Sequence, residues 1–108
     1  MAMILPPSLV AYLNSEATTD VESLANCFAA DAVVHDEGRA IRGLDAIKAW
    51  KKDAKTKYQY TVKPLDAVQD QATVTMRARL SGKFPGSPIE VTYRFVLAND
   101  KIALLEIR

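Results

Sequence analysis

Apolar residues change their spacing part-way along the chain, and the change divides it into two kinds of structure. Pro6 and Pro7 tolerate only a helix start, and Ser8 onward can propagate one. Leu9, Val10 and Leu13 give a short apolar stripe that ends near Asn14-Ser15. Thr18, Thr19 and Asp20 are good N-caps, and Val21, Leu24, Ala25 and Phe28 follow at helical spacing, so a second helix is expected over about residues 20–30. Residues 28–50 then read as the end of that helix, a short strand carrying His35 and Asp36, a turn at Glu37-Gly38 and a new helix opening after Gly43. Leu44, Ile47 and Trp50 form the apolar stripe of this third helix, which runs to about Lys55. Its other face carries Lys48, Lys51, Lys52 and Lys55 with Asp53 among them, the pattern of a solvated face.

After Lys57 the period becomes two, and residues 58–68, 72–83, 89–98 and 101–107 read as four strands. Ala72, Val74, Met76, Ala78 and Leu80 alternate with Thr73, Thr75, Arg77 and Arg79. Ile89, Val91, Tyr93, Phe95 and Leu97 alternate in the same way with Glu90, Thr92 and Arg94. Turns at Asp70-Gln71, Pro85-Gly86-Ser87-Pro88 and Asn99-Asp100 leave connections short enough for an antiparallel meander. Helices gathered early and hairpins gathered late imply an α+β fold, with three helices of the N-terminal half covering one face of a curved sheet.

Composition narrows the partners more than the chemistry. A chain of 108 residues fits one domain, here 1–108, that buries roughly two thirds of its unfolded surface without disulfides or a structural metal. A formal charge of +1 produces no global field toward nucleic acid or an anionic membrane. The single cysteine, Cys27, suits a reducing, cytoplasmic compartment and reads as a small core residue, because no general base stands beside it in sequence. One His and one Cys fall short of the three or four ligands of a protein-only zinc site, so no metal is expected. No phosphate-cradling glycine motif occurs, so no cofactor is implied, and no apolar run nears the roughly 20 residues of a membrane span.

Asp36 is the candidate for acid/base chemistry. Successive strand residues face opposite sides, so His35 and Asp36 cannot both point into one cavity, and the equally apolar Val33 and Val34 leave the choice open. A carboxylate at an apolar wall gains basicity from desolvation, which proton abstraction from a weak carbon acid requires. Phe28, Trp50, Tyr58, Tyr60, Tyr93 and Phe95 occupy positions compatible with a buried face, and aromatics fill cores as readily as they line ligand sites. The candidate ligand-binding set is Phe28, His35, Trp50, Tyr60, Tyr93 and Phe95, with Tyr60 or Tyr93 able to offer a phenol to a bound oxygen.

The run Phe28-Ala29-Ala30-Asp31-Ala32-Val33-Val34, the acid Asp36, then Arg42-Gly43, Ala46-Ile47 and Trp50 resembles the nuclear transport factor 2-like superfamily, in its SnoaL-like and ketosteroid isomerase-like branch. The resemblance implies a cone in which three helices pack on a strongly bent sheet around an apolar pocket for a small apolar ligand. It also implies homodimers through the outer sheet face, where Thr73, Thr75, Arg77, Arg79, Glu90, Thr92 and Arg94 are expected. By the same resemblance Asp36 matches the carboxylate that shuttles a proton in ketosteroid isomerases. The oxyanion-hole partners of such an isomerase, a tyrosine and a protonated aspartic acid, are not matched: Leu9 stands at the tyrosine's place, Tyr12 lies elsewhere on the helix, and Val91 or Thr92 stands at the acid's. The expected function is therefore a SnoaL-like domain that acts without a cofactor on a hydrophobic carbonyl or hydroxyl compound through Asp36. The alternative is a binding or dimerisation domain that keeps the fold without a complete active site.

Overall fold

The period-two half of the chain forms the sheet, and the helices close over it, in a computed structural model that describes residues 5–16, 21–36 and 38–108. The elements in order are α1 (Pro7–Glu16), a 3₁₀ turn (Val21–Asn26), β1 (Phe28–Asp36), β2 (Arg39–Arg42), α2 (Leu44–Tyr58), β3 (Thr61–Asp70), β4 (Thr73–Ser81), β5 (Ile89–Ala98) and β6 (Lys101–Ile107). Six strands among the described residues form one sheet in the order β2-β1-β6-β5-β4-β3. β1 runs parallel to β6 and every other neighbouring pair is antiparallel, so the sheet is mixed and the fold α+β. Register shifts between Pro64 and Asp66, between Val96 and Leu97, and between Phe28 and Val33 are the bulges that bend such a sheet. No described helix is long and apolar enough to cross a membrane.

Alternation decides the two faces as expected. Val74, Met76 and Ala78 of β4 and Tyr93 and Phe95 of β5 are buried, whereas Thr75, Arg77, Arg79 and Arg94 are exposed. On that outer face Arg77 pairs with Asp66 and Glu90, and Arg94 pairs with Glu106, so these charges already meet partners within the chain. Inside, the rings of Tyr12 and Phe28 meet edge-on at 5.8 Å, as do Tyr12 and Phe95 at 5.5 Å, an arrangement aromatic quadrupoles favour. Cys27 is fully buried among them, and burial pushes its thiol up to about 11, so it is a small core residue rather than a nucleophile.

Four elements differ from the periodicity reading. The expected helix over residues 20–30 is a 3₁₀ turn ending at Asn26, and Phe28 opens a nine-residue strand instead of closing a helix. Phe28 also falls at helical spacing after Val21, Leu24 and Ala25, whereas Phe28, Ala32 and Val34 are buried at even, strand-like spacing, and pairing to β6 decides for the strand. The caps Thr18, Thr19 and Asp20 and the turn residue Glu37 lie outside the described residues. The short strand β2 was not expected, and Asp36 pairs with Arg39 across a hairpin in which Gly38 takes φ 76°, a turn conformation glycine adopts without a Cβ clash. α2 continues through Tyr58, and α1 buries Leu9, Tyr12, Ser15 and Glu16 while Val10 is exposed.

The lysine face of α2 is the largest correction. Lys51 is only 3% exposed, because it sits four residues after Ile47 on the buried side of the helix. Its ammonium donates to Glu16 Oε1, to the Tyr12 hydroxyl at 2.9 Å and to the Tyr60 hydroxyl at 3.0 Å, and so uses all three of its donors. Lys55 donates to the backbone oxygens of Glu16 (2.7 Å) and Tyr60 (3.0 Å). Together the two lysines tie the end of α1 and the start of β3 to one helix. Burial lowers the pKa of Lys51, and the Glu16 charge opposes that shift. Removing one member of such a pair strands the other, so Lys51→Met is expected to cost about 3–5 kcal/mol in urea unfolding, and Lys51→Met with Glu16→Leu should regain much of it. An unchanged midpoint in the single variant would contradict the clamp.

Candidate functional site

α2 presents Trp50, Ala54 and Tyr58 at intervals of four, one row on one side of the helix. Opposite this row the inner sheet face contributes Asp36 at the end of β1, Leu80 of β4, and Val91 and Tyr93 of β5, and between them lies a cavity of about 520 Å³. Phe84 and Pro85 form another wall. Gly82 makes that wall possible: a Cβ there would lie 2.7 Å from the Tyr58 carbonyl oxygen and from Tyr60 Cα. The Lys83 N–H donates to the same Tyr58 oxygen at 2.6 Å, and the Phe84 ring meets Tyr58 edge-on at 6.0 Å.

β1 resolves the choice between its two ionisable residues. Val34 is fully buried, Asp36 is half-buried and lines the cavity, and His35 is exposed on the opposite side. Asp36 Oδ2 accepts a hydrogen bond from Trp50 Nε1 at 3.0 Å. Among the described residues no donor meets Oδ1, so one carboxylate oxygen is held and the other is free.

Of the ligand-binding candidates, Trp50, Tyr60 and Tyr93 line the cavity with Asp36. Phe28 and Phe95 are buried in the core but are not part of its lining, and His35 faces away from it. The two tyrosines differ. Tyr60 receives Lys51 at its hydroxyl and is already engaged, whereas the Tyr93 hydroxyl makes no hydrogen bond among the described residues. Burial first, then the charges of Glu16 and Asp36, push the Tyr93 pKa well above its ordinary value, so its phenol stays protonated and can donate. Tyr60 is shifted the same way, by burial and by Glu16.

Periodicity missed Lys51 and Glu16, which stand behind the Tyr60 wall. Lys51 Nζ lies 4.6 Å from the Trp50 ring centroid and 4.8 Å from that of Tyr12, so the cation also faces two aromatic rings. No cluster of three or more His, Cys, Asp or Glu side chains placed to hold a metal occurs among the described residues.

A curved α+β sheet wrapped on helices around an acid-bearing apolar cavity is the architecture of the nuclear transport factor 2-like class. The family model for the SnoaL-like domain matches residues 9–105, and the chain belongs to that family. It is similar to the structure of a candidate polyketide cyclase from Sinorhizobium meliloti, with 39% identity, a TM-score of 0.93, and 96% of this chain and 95% of that chain covered. A protein of ketosteroid isomerase-like fold from Catenulispora acidiphila, solved with trimethylamine, is 21% identical with a TM-score of 0.84, covering 97% of this chain and 86% of that one. A candidate SnoaL-like polyketide cyclase from Jannaschia sp. is 13% identical with a TM-score of 0.78, covering 99% and 90%. The last two show the fold alone. No curated protein matches the sequence.

Trp50 is the only tryptophan, so its indole N–H gives one NMR resonance that reports on Asp36. Asp36→Ala should move that proton upfield and cost about 1–2 kcal/mol, whereas Asp36→Asn retains an acceptor oxygen and should change both less. Equal spectra for the parent and the alanine variant would contradict the bond.

Proposed function

We propose that this SnoaL-like domain binds a small apolar carbonyl or hydroxyl compound in the cavity and that Asp36 moves a proton to and from it. The observation that carries the reading is a half-buried carboxylate in a wall that is aromatic and aliphatic apart from Arg108, anchored by Trp50 through one oxygen and, among the described residues, free at the other. The free Oδ1 is the general base. It takes a proton from the carbon next to a substrate carbonyl, and the electron pair left behind moves onto the carbonyl oxygen as an enolate. The Tyr93 phenol donates a hydrogen bond to that oxygen, where negative charge develops. The protonated Asp36 then returns the proton to the same or a neighbouring carbon. Returned to a neighbouring carbon, the proton completes an isomerisation. In an aldol-type cyclisation the enolate carbon instead attacks a second carbonyl of the substrate, and protonated Asp36 gives its proton to the alkoxide so formed. The cyclase description of the Sinorhizobium relative accords with that step.

A second reading, binding without turnover, has a specific observation behind it. Val91 lines the cavity and Leu9 is fully buried, so neither supplies the hydrogen-bond donor that an isomerase has at the corresponding place. Among the described residues the cavity-wall phenols without a hydrogen bond are those of Tyr93 and Tyr58, and Tyr93 is the one on the sheet with Asp36.

Hydrogen–deuterium exchange at the α-carbon of 2-tetralone, followed by NMR in D₂O, separates the two readings. The parent protein is expected to accelerate exchange catalytically. Asp36→Asn should reduce that acceleration by about 10²-fold or more, and Tyr93→Phe, which keeps the ring, by about 10–10²-fold. Binding of the ketone with no acceleration would leave the non-catalytic reading and overturn the role of Asp36.

A further inference from the structure

We infer that the compound held in the cavity carries an anionic group, and that this group docks in a cationic recess beside Asp36 built by Arg39, Lys52 and Lys57. The inference rests on the cavity being a ligand site, as proposed above, and adds the charge its occupant bears.

The recess, of about 610 Å³, adjoins the apolar cavity and shares Asp36, Trp50, Ala54 and Tyr58 with it as a common wall. Its remaining walls are polar and bring three cations together with one further acid, Asp53. Arg39 is placed by the hairpin register. It is the direct Cα partner of Asp36, and directly opposed residues of an antiparallel pair project to the same face of the sheet, with Cβ atoms about 4.5–5.5 Å apart. The two side chains nonetheless form no ion pair, and the Trp50 indole holds one oxygen of the carboxylate. Arg39, Lys52 and Lys57 have no acid within ion-pair distance among the described residues. Arg77, Arg79 and Arg94, on the outer sheet face, each meet a glutamate or aspartate. Among the described residues the three cations of the recess are thus left without such partners, whereas Arg108 of the cavity wall pairs with Glu106.

With a formal charge of only +1, the protein exerts little long-range attraction on anions, so selection for charge depends on this local cluster. The geometry suits an amphipathic organic anion: an apolar ring-sized body between Trp50 and Tyr93, and a carboxylate-like head beyond the Trp50–Ala54–Tyr58 row. Such a head is kept off the Asp36 carboxylate by like-charge repulsion and is drawn to Arg39 and Lys57. The substrate carbon, not the anionic group, is then left facing Asp36 Oδ1.

Two dyes that share a skeleton test the charge separately from the cavity. N-phenyl-1-naphthylamine is neutral, and 8-anilino-1-naphthalenesulfonate is the same framework bearing a sulfonate. Each is titrated against the parent protein while quenching of Trp50 is read, with displacement of one dye by the other as a check that they share a site. The sulfonate is expected to bind about fivefold or more tighter at low salt, with the advantage shrinking at high ionic strength. The exposed double substitution Arg39→Gln with Lys57→Gln should remove that advantage and leave the neutral dye's affinity unchanged. Equal affinities of the two dyes for the parent, or a sulfonate preference that survives the double substitution, would overturn the inference while leaving the cavity reading standing. A parent that binds neither dye would overturn both.

Discussion

An ammonium removed from water must have its donors met, and Lys51 of α2 meets its three on two other parts of the chain: Glu16 and Tyr12 of α1, and Tyr60 just before β3. That requirement couples otherwise separate pieces. α1 cannot slide along the sheet without stranding Lys51, and Tyr60 cannot leave the wall without losing the same cation. Lys55 reinforces the clamp through backbone oxygens, so it constrains chain direction as well as side chains. With one end of the domain drawn together in this way, the row Trp50, Ala54 and Tyr58 is set at a fixed distance from the sheet, and the space between them is the cavity.

The cavity differs from the clamp in how its polar groups are satisfied. Around Lys51 the ammonium's three donors are met within the chain, and Glu16 Oε2, which accepts no hydrogen bond among the described residues, faces the Lys55 ammonium at 3.4 Å. At the cavity wall hydrogen-bonding capacity is left partly open: among the described residues Asp36 keeps one oxygen without a donor, and the Tyr93 hydroxyl keeps its proton without an acceptor. Rigid support behind and unfilled capacity in front is the arrangement that a preorganised acid/base site needs, since the supporting groups do not have to move when charge develops. Gly82 belongs to the same support, because the loop bearing Phe84 can approach Tyr58 and Tyr60 only where no Cβ intervenes.

Much of the sheet was legible in the sequence because strand period is a local property that burial on one face reinforces. Val74, Met76, Ala78, Tyr93 and Phe95 fell on the inner face as their alternation implied. Phe28 reads as helical because it completes the stripe of Val21, Leu24 and Ala25, and only its pairing with β6, over 70 residues away, places it in a strand. Lys51 was misread for a different reason. Its position four residues after Ile47 pointed inward, but a charged residue type outweighed spacing, and Glu16 could be recognised as its partner only once α1 and α2 were packed. Asp36 was legible as an acid at the end of a strand. Which face it occupied was not, because Val33 and Val34 are equally apolar, and the packing of Val34 into the core decides it.

The central claim is that an apolar molecule sits between α2 and the inner sheet face with Asp36 at its edge. Intermolecular nuclear Overhauser effects from bound N-phenyl-1-naphthylamine test it most directly. The account predicts contacts from the dye's aromatic protons to the Trp50 indole and to the Tyr93 ring. Contacts confined to His35 or to the outer face around Thr75 and Arg77, with the Trp50 and Tyr93 resonances unmoved, would contradict it.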